Sequence, residues 1–369
     1  MAIRLKDIAR DLDVSIITVS KAIRGAKDIS EKTRQRVLRR IQELDYQPNL
    51  VARSLATGRS SLIGLIVPNL LNPFFTELAT SLSRFLRRES YDLIISSSGD
   101  DPEVEKSEIH MMLARSVDAL LIASCQLKLD KFLSIHNQET PFALLDRPFP
   151  HLRANFIGTD DCLGGKLATE HLIQLGRKQL AYIGSPDLGP AADRFRGFRM
   201  ALRDHDIDLH EDLVLGSPEN SEPGDSIGYD LMRVLLQRKP KPNGVFCHND
   251  VVAIGAIKAA LDAGLSIPGD IAFVGYDNVK YSRFLQIPLT SVDQSTDQLG
   301  EVAAKLALDL AAKRIEKPRE ILLAPTLVAR ESTVGKVQAQ ADSASMPGDS
   351  PDKSPVNLKT KRAKKSSMR

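Results

Sequence analysis

Residues 3–23 read IRLKDIARDLDVSIITVSKAI, and two short helices with a tight turn between them are legible in that stretch. Leu5, Ile8, Ala9 and Leu12 recur at i, i+3, i+4 and i+7, which makes one apolar face. A break follows at residues 11–15. Ser15 can cap a second helix running to about Ile23, with Val19 and Ile23 turned inward. Two helices joined at such a turn describe a helix-turn-helix, whose second helix enters the DNA major groove by its N-terminal residues. A generic three-helix cap has the same composition, so both readings stand on this stretch alone.

Moving outward, Ser30 can cap a third helix with Val37, Ile41 and Leu44 on its buried face. That helix is expected to stop near Tyr46-Gln47, because Pro48 disfavours helical geometry in the residue before it. Residues 49–57 then offer Asn49 as a cap followed by LVARSLAT, with Ala52 and Ala56 four apart and Leu55 beside them. A helix so short is marginal in isolation. Its small residues would let two copies approach closely when two chains pair, and an exposed Leu there can wedge between base steps in the minor groove.

From residue 62 the rhythm changes. Short apolar runs at 62–67, 93–96, 119–123, 142–145, 180–184, 245–247 and 271–275 are each followed by a helical pattern. Such alternation predicts βα units and parallel sheets covered on both faces. About 275 residues is large for one doubly wound sheet, so two α/β lobes are expected. After residue 335 the chain turns to Ser, Pro and Lys without core-forming residues, and disorder is expected there. The predicted organisation is a helix-turn-helix head (1–47), a hinge (48–60), a two-lobed α/β core (61–335) and a basic tail (336–369).

Charge follows the same division. Net charge is +3, but residues 1–60 hold 13 Lys/Arg against 7 Asp/Glu, and residues 336–369 hold 8 against 3, which leaves the body at −8. A basic head on an acidic body suits a polyanion docking at one end. No apolar run is long enough to span a membrane, and the start lacks the continuous apolar stretch of a secretory signal. Cys125, Cys162 and Cys247 are odd in number and scattered, which is no disulfide framework. A cytoplasmic protein without membrane contact is expected.

Three enzyme signals fail on their context. Residues 224–228 satisfy G-x-S-x-G, but a polar loop precedes them where a nucleophile elbow needs a strand. Gly165-Lys166 hints at a phosphate loop, yet Asp160 stands at the first Gly position and Leu167 replaces Ser/Thr. Cys247 and His248 are neighbours on a predicted strand and so face opposite sides. The seven His show no metal-ligand spacing. No catalytic residue, metal or cofactor is therefore expected. Residues just after the predicted strands are instead polar: Asn69 and Asn72, Ser96 to Ser98, Asp146-Arg147, Asp160-Asp161, Asn249-Asp250 and Asp277-Asn278. In open α/β sheets that is where ligands bind, and amides and carboxylates spread over many loops suit hydroxyl recognition.

The head, together with ISEKTRQRVLRRIQELDYQPNLVARSLATG at 29–58, resembles the LacI/GalR repressors, and the likeness runs on to LVARES at 327–332. The resemblance implies a core of the type I periplasmic-binding-protein fold, hinged around an effector, and a homodimer on a palindromic duplex DNA operator. It places Ser15, Thr18, Ser20, Ser30 and Thr33 on the DNA backbone and Ile16, Ile17 and Lys21 at base-reading positions. It places Leu55 as the hinge wedge, with Asn49, Ala52 and Ala56 in the same hinge. Arg194 (in R-x-x-G-F), Asn249 (in HND) and Asp277 (in GYDN) match its effector contacts, as do Phe74 and Arg147. The implied effector is a sugar or sugar-like polyol and the implied action repression. The chain departs from the family pattern at Arg4, Asp13 and Arg24, where Thr, Gly and Asn are usual, and at the two isoleucines, which would meet thymine methyls.

Overall fold

The computed structural model describes residues 3–23, 25–26, 28–46, 54, 58–126, 140–149, 152–186, 189–216 and 224–335. It divides into two units at Ser61/Leu62. Asn49, Ala52, Leu55, Ala56 and the tail lie outside the described residues.

The first unit holds three helices: α1 (Leu5–Asp11), α2 (Ile16–Ile23) and α3 (Glu31–Glu43). Ile8, Ala9, Val19, Ala22 and Val37 form its buried centre, with Leu5, Leu12, Ile23, Ile41 and Leu44 packed around them. Ala22 is buried more completely than Ile23, so the inward face of α2 is turned slightly from the sequence expectation. Asp13 takes a left-handed φ of 53° in the α1–α2 turn; Asp tolerates that region better than most residues. The α3 helix ends at Glu43, earlier than expected. Asp45 turns left-handed (φ 45°), and the Tyr46 amide donates back to the Ile41 carbonyl at 3.0 Å. The turn at Asp45, ahead of Pro48, stops the helix.

The second unit consists of two six-stranded sheets. In chain order its elements are β1 (Leu62–Val67), α4 (Pro73–Arg88), β2 (Asp92–Ser97), α5 (Pro102–Ala114), β3 (Ala119–Ile122), β4 (Phe142–Leu145) and β5 (Asn155–Thr159). The next are α6 (Asp161–Gln174), β6 (Leu180–Ile183), α7 (Gly189–Asp204), β7 (Val214–Leu215), α8 (Asp225–Leu235), β8 (Gly244–Cys247), α9 (Asp250–Asp262) and β9 (Ala272–Tyr276). The last are β10 (Thr290–Asp293), α10 (Thr296–Ala311), β11 (Glu320–Leu323) and β12 (Thr326–Val328). Strand order is β11-β5-β4-β3-β1-β2 in the first lobe and β12-β10-β9-β8-β6-β7 in the second. Neighbouring strands run parallel except β10 and β12. The order reverses between β1 and β3 in one lobe and between β6 and β8 in the other, which opens a crevice at each set of carboxyl ends.

Both sheets are covered on both faces, as near-continuous apolar strands require. In the first lobe α4 and α10 close one side, and α5, through Ile109 and Met112, closes the other. In the second, α8 and α9 cover one face and α6 and α7 the other. The chain passes between lobes three times: after Thr159, after Asp293, and between Leu323 and Thr326. Val279, from a loop of the second lobe, packs into the core of the first.

Candidate functional site

In the head, hydroxyl side chains cap both later helices. The Thr18 amide donates to Ser15 Oγ at 3.0 Å, and the Thr33 amide to Ser30 Oγ at 3.2 Å. Each serine also shares a hydrogen bond with the threonine hydroxyl, at 2.8 and 2.9 Å. These caps satisfy amides that would otherwise be orphaned, and they hold two Ser–Thr pairs at helix starts, where amides and hydroxyls suit phosphate oxygens. Ile16 and Ile17 stand outward at the start of α2, 51% and 67% exposed. Lys21 is ion-paired with Asp28, so its ammonium is held within the head. Arg36 donates to the Leu12 carbonyl at 3.1 Å and Arg40 to Asp11 at 2.6 Å, which ties α3 to the end of α1.

In the core, Arg194 organises the strand ends. It sits on α7, whose approach to α6 depends on Gly197: a Cβ there would stand 2.1 Å from the Cys162 carbonyl oxygen. Gly165 makes the reciprocal approach: a Cβ there would stand 2.0 Å from the Arg194 carbonyl oxygen. The glycine of R-x-x-G-F thus lets the helices touch and brings the arginine over the crevice.

Arg194 is 5% exposed. Its Nε donates to Asp161 at 2.7 Å and its Nη1 to the His248 carbonyl at 2.6 Å, while Asp277 Oδ1 lies 3.7 Å from Nη1. The guanidinium rests on the Tyr276 ring, 3.7 Å from its centroid, a cation–π contact in a desolvated place. Gln294 donates to Asp277 at 2.7 Å. Asp146, at the end of β4 in the other lobe, adds its charge to the cluster.

The electrostatics follow from burial. Desolvation pushes the Asp161 carboxyl up to about 6 against the pull of Arg194. It raises Asp277 well above the usual carboxylate range and raises Asp146 as well, with Arg194 opposing both. Burial works against the charge on Arg194, but Asp161 and Asp277 outweigh it and the guanidinium stays protonated. Burial, reinforced by Arg194, lowers His248 to about 4 and keeps it neutral. One fixed cation thus faces three carboxyls that share charge reluctantly. Asp146 and Asp277 also hold left-handed backbone, φ 62° and 97°, the kind of local strain that gathers at binding sites.

The remaining expected residues divide. Asn249 caps α9, accepting from the Val252 amide at 2.8 Å, and its amide meets His248 Nε2 at 3.3 Å, one residue from the cluster. Arg147 reaches Asp100 at 3.4 Å and bears on both Asp146 and His248. Phe74 is 2% exposed and packed against Phe75 in the first-lobe core. Asp161 and Asp146 stood among the polar strand-end residues, but nothing in spacing singled them out. Gln294 and Tyr276 were missed, Gln294 because β10 (TSVD) is too short and polar to read as a strand.

The enzyme-like signals resolve into structure. Gly228 touches the Val252 carbonyl across the α8–α9 crossing, where a Cβ would stand 2.0 Å away. Lys166 pairs with Asp204 at 2.7 Å. Cys247 is buried in the second-lobe core. Among the described residues no set of His, Cys, Asp or Glu is arranged to hold a metal ion, and no helix is long and apolar enough to cross a membrane.

A three-helix head with a presented second helix, joined in one chain to a two-lobed core with a charged crevice, defines a DNA-binding regulator with a sensing domain. Comparison with known proteins agrees. Residues 4–49 match the family described as bacterial regulatory proteins, lacI family, and residues 169–333 a periplasmic binding protein-like domain. The chain is 34% identical over 335 residues to the ribose operon repressor of Haemophilus influenzae, covering 89% of this chain and 98% of the relative. It is 33% identical to the transcriptional repressor PurR of Histophilus somni, with the same coverage. A crystal structure of the lac repressor dimer bound to operator and the anti-inducer ONPF superposes with a TM-score of 0.79 at 27% identity, covering 90% of this chain and 99% of that one. The chain belongs to the LacI family of bacterial regulatory proteins. Its function is ligand-responsive transcriptional regulation, not catalysis.

Proposed function

We propose that the protein is a cytoplasmic repressor that grips a palindromic operator as a homodimer and releases or tightens it when a neutral polyol, a sugar first of all, enters the crevice. The observation that carries the reading is the Arg194 cluster: a buried cation and three carboxyls, from both lobes, at the strand ends of a core joined to a helix-turn-helix. In this reading Arg194, Asp277, Asp161 and Asp146 hold the effector's hydroxyls, with Asn249 and Arg147 at the margin. The clustered carboxyls call for hydroxyl donors. The ring face of Tyr276 is engaged by Arg194, which supports a polyol over a stacked base. A relative named for the ribose operon points the same way.

Ser15, Thr18, Ser20, Ser30 and Thr33 anchor the head to phosphates, and Lys21 reaches DNA once Asp28 releases it. Leu55, with Asn49, Ala52 and Ala56, forms the hinge that orders on DNA, so its order can be coupled to lobe closure. Tyr281 and Phe284, 63% and 74% exposed in one loop of the second lobe, supply an apolar face for pairing.

Thermal-shift measurements on the full chain against pentoses, hexoses and nucleobases test the sensing half. At 100 times its Kd a ligand adds about 2.7 kcal/mol of apparent stability, so a sugar should raise the transition by several degrees. A nucleobase that does so while sugars do not would overturn the polyol assignment.

A further inference from the structure

Ile16 and Ile17 are adjacent, β-branched and turned to solvent at the leading edge of α2, while Val19 and Ala22 behind them complete the head's core. Neither is needed for packing. On either side the surface is polar: the Ser15 and Thr18 hydroxyls are bonded to each other, and Lys21 is ion-paired with Asp28. The tip that a helix-turn-helix inserts into the major groove is therefore apolar where hydrogen-bonding side chains would read donors and acceptors.

The groove floor has one apolar feature, the C5 methyl of thymine. Methylation of cytosine at C5 puts the same group in the same place. An unmethylated cytosine offers the isoleucine no methyl at C5, so the apolar contact is lost there. The basic head supplies general attraction to DNA, and the isoleucines add selectivity.

We propose that Ile16 and Ile17 recognise pyrimidine C5 methyl groups, so that 5-methylcytosine can replace thymine at the contacted positions and cytosine methylation changes which half-sites the protein occupies. The proposal rests on the DNA-binding reading given above. Burying one methyl is worth ~0.8 kcal/mol, which converts to about 4-fold in affinity. Two symmetric half-sites bring that to about 15-fold.

The test uses the full-length protein and the duplex recovered by in vitro selection from a random library. That duplex is resynthesised with deoxyuridine at each recurrent thymine in turn, and with cytosine or 5-methylcytosine at the same positions. The expected result is about 4-fold weaker binding for each methyl lost at the contacted positions in one half-site, and a similar preference for 5-methylcytosine over cytosine. The double variant I16A/I17A, whose helical content should match the wild type because both side chains are exposed, should bind thymine and uracil duplexes alike. Equal binding of thymine and uracil duplexes at every position by the wild type, or an undiminished thymine preference in I16A/I17A, would overturn the proposal. A library that yields no enriched sequence would instead bring down the DNA-binding reading, and this proposal with it.

Discussion

Arg194 is the residue on which most of the crevice depends, because its buried charge acts on all three of Asp146, Asp161 and Asp277. Removing it strands carboxyls that burial already holds above their ordinary range. Breaking a buried pair from one side costs about 3–5 kcal/mol, against roughly 0–1 kcal/mol for a surface pair. Arg194→Met should accordingly lower the core's melting temperature by roughly 10 °C, at about 2–4 °C per kcal/mol for a unit of this size. Adding Asp161→Asn should recover part of that loss, because the stranded charge goes with it. A double variant no more stable than Arg194→Met would show that the ion pair is not what holds the site. At this scale the sequence was half readable. Arg194 and Asp277 stand in recognisable patterns, whereas Asp161 is one of two adjacent aspartates: Asp160 caps α6, accepting from the Leu163 amide at 2.9 Å, and only the fold shows which of the pair turns to the arginine.

The glycines decide what happens between elements. Gly197 stands where a Cβ would meet the Cys162 carbonyl oxygen at 2.1 Å and the Lys166 amide at 2.6 Å, both backbone atoms that cannot swing away. Gly197→Ala must therefore push α7 off α6 and carry Arg194 with it. Effector affinity should fall at least about 10-fold, in line with the sensitivity of positioned groups to ångström displacements. Operator binding without effector should change less than 3-fold, since the head folds around its own five buried residues. Calorimetric titration and gel shift on the same preparation check both numbers. Strands β1–β4, β6, β8 and β9 were legible because short apolar runs alternate with helices, whereas β5 and the two-residue β7 fell outside those runs. Strands β10, β11 and β12 were not legible, because TSVD is short and largely polar while EILL and TLV are short and partly exposed. Their places are set by tertiary pairing, which propensity does not encode.

For the whole molecule the question is how two copies meet. Phe284 is stacked by Arg283, 4.7 Å from its ring centroid, and with Tyr281 it presents aromatic surface that a single copy leaves in water. Tyr281→Asp combined with Phe284→Asp should shift the sedimenting species from dimer to monomer. Operator affinity should fall by more than 100-fold, because one head then binds without the second as a tethered partner. A variant that stays dimeric would move the interface elsewhere on the core. The division into head and core was plain from charge and periodicity, whereas this face was not: an exposed aromatic in a loop looks the same in sequence as a buried one.

The threefold passage of the chain between the lobes carries a further consequence. The first lobe begins at Leu62, yet it is finished only by β11, after five of the second sheet's six strands have been made, and the second is finished by β12, its outermost ribbon. Neither half can be excised as one uninterrupted stretch of polypeptide. A ribosome halted anywhere before Glu320 leaves both halves with an open flank, so the sensor becomes complete only when its last strands have been synthesised.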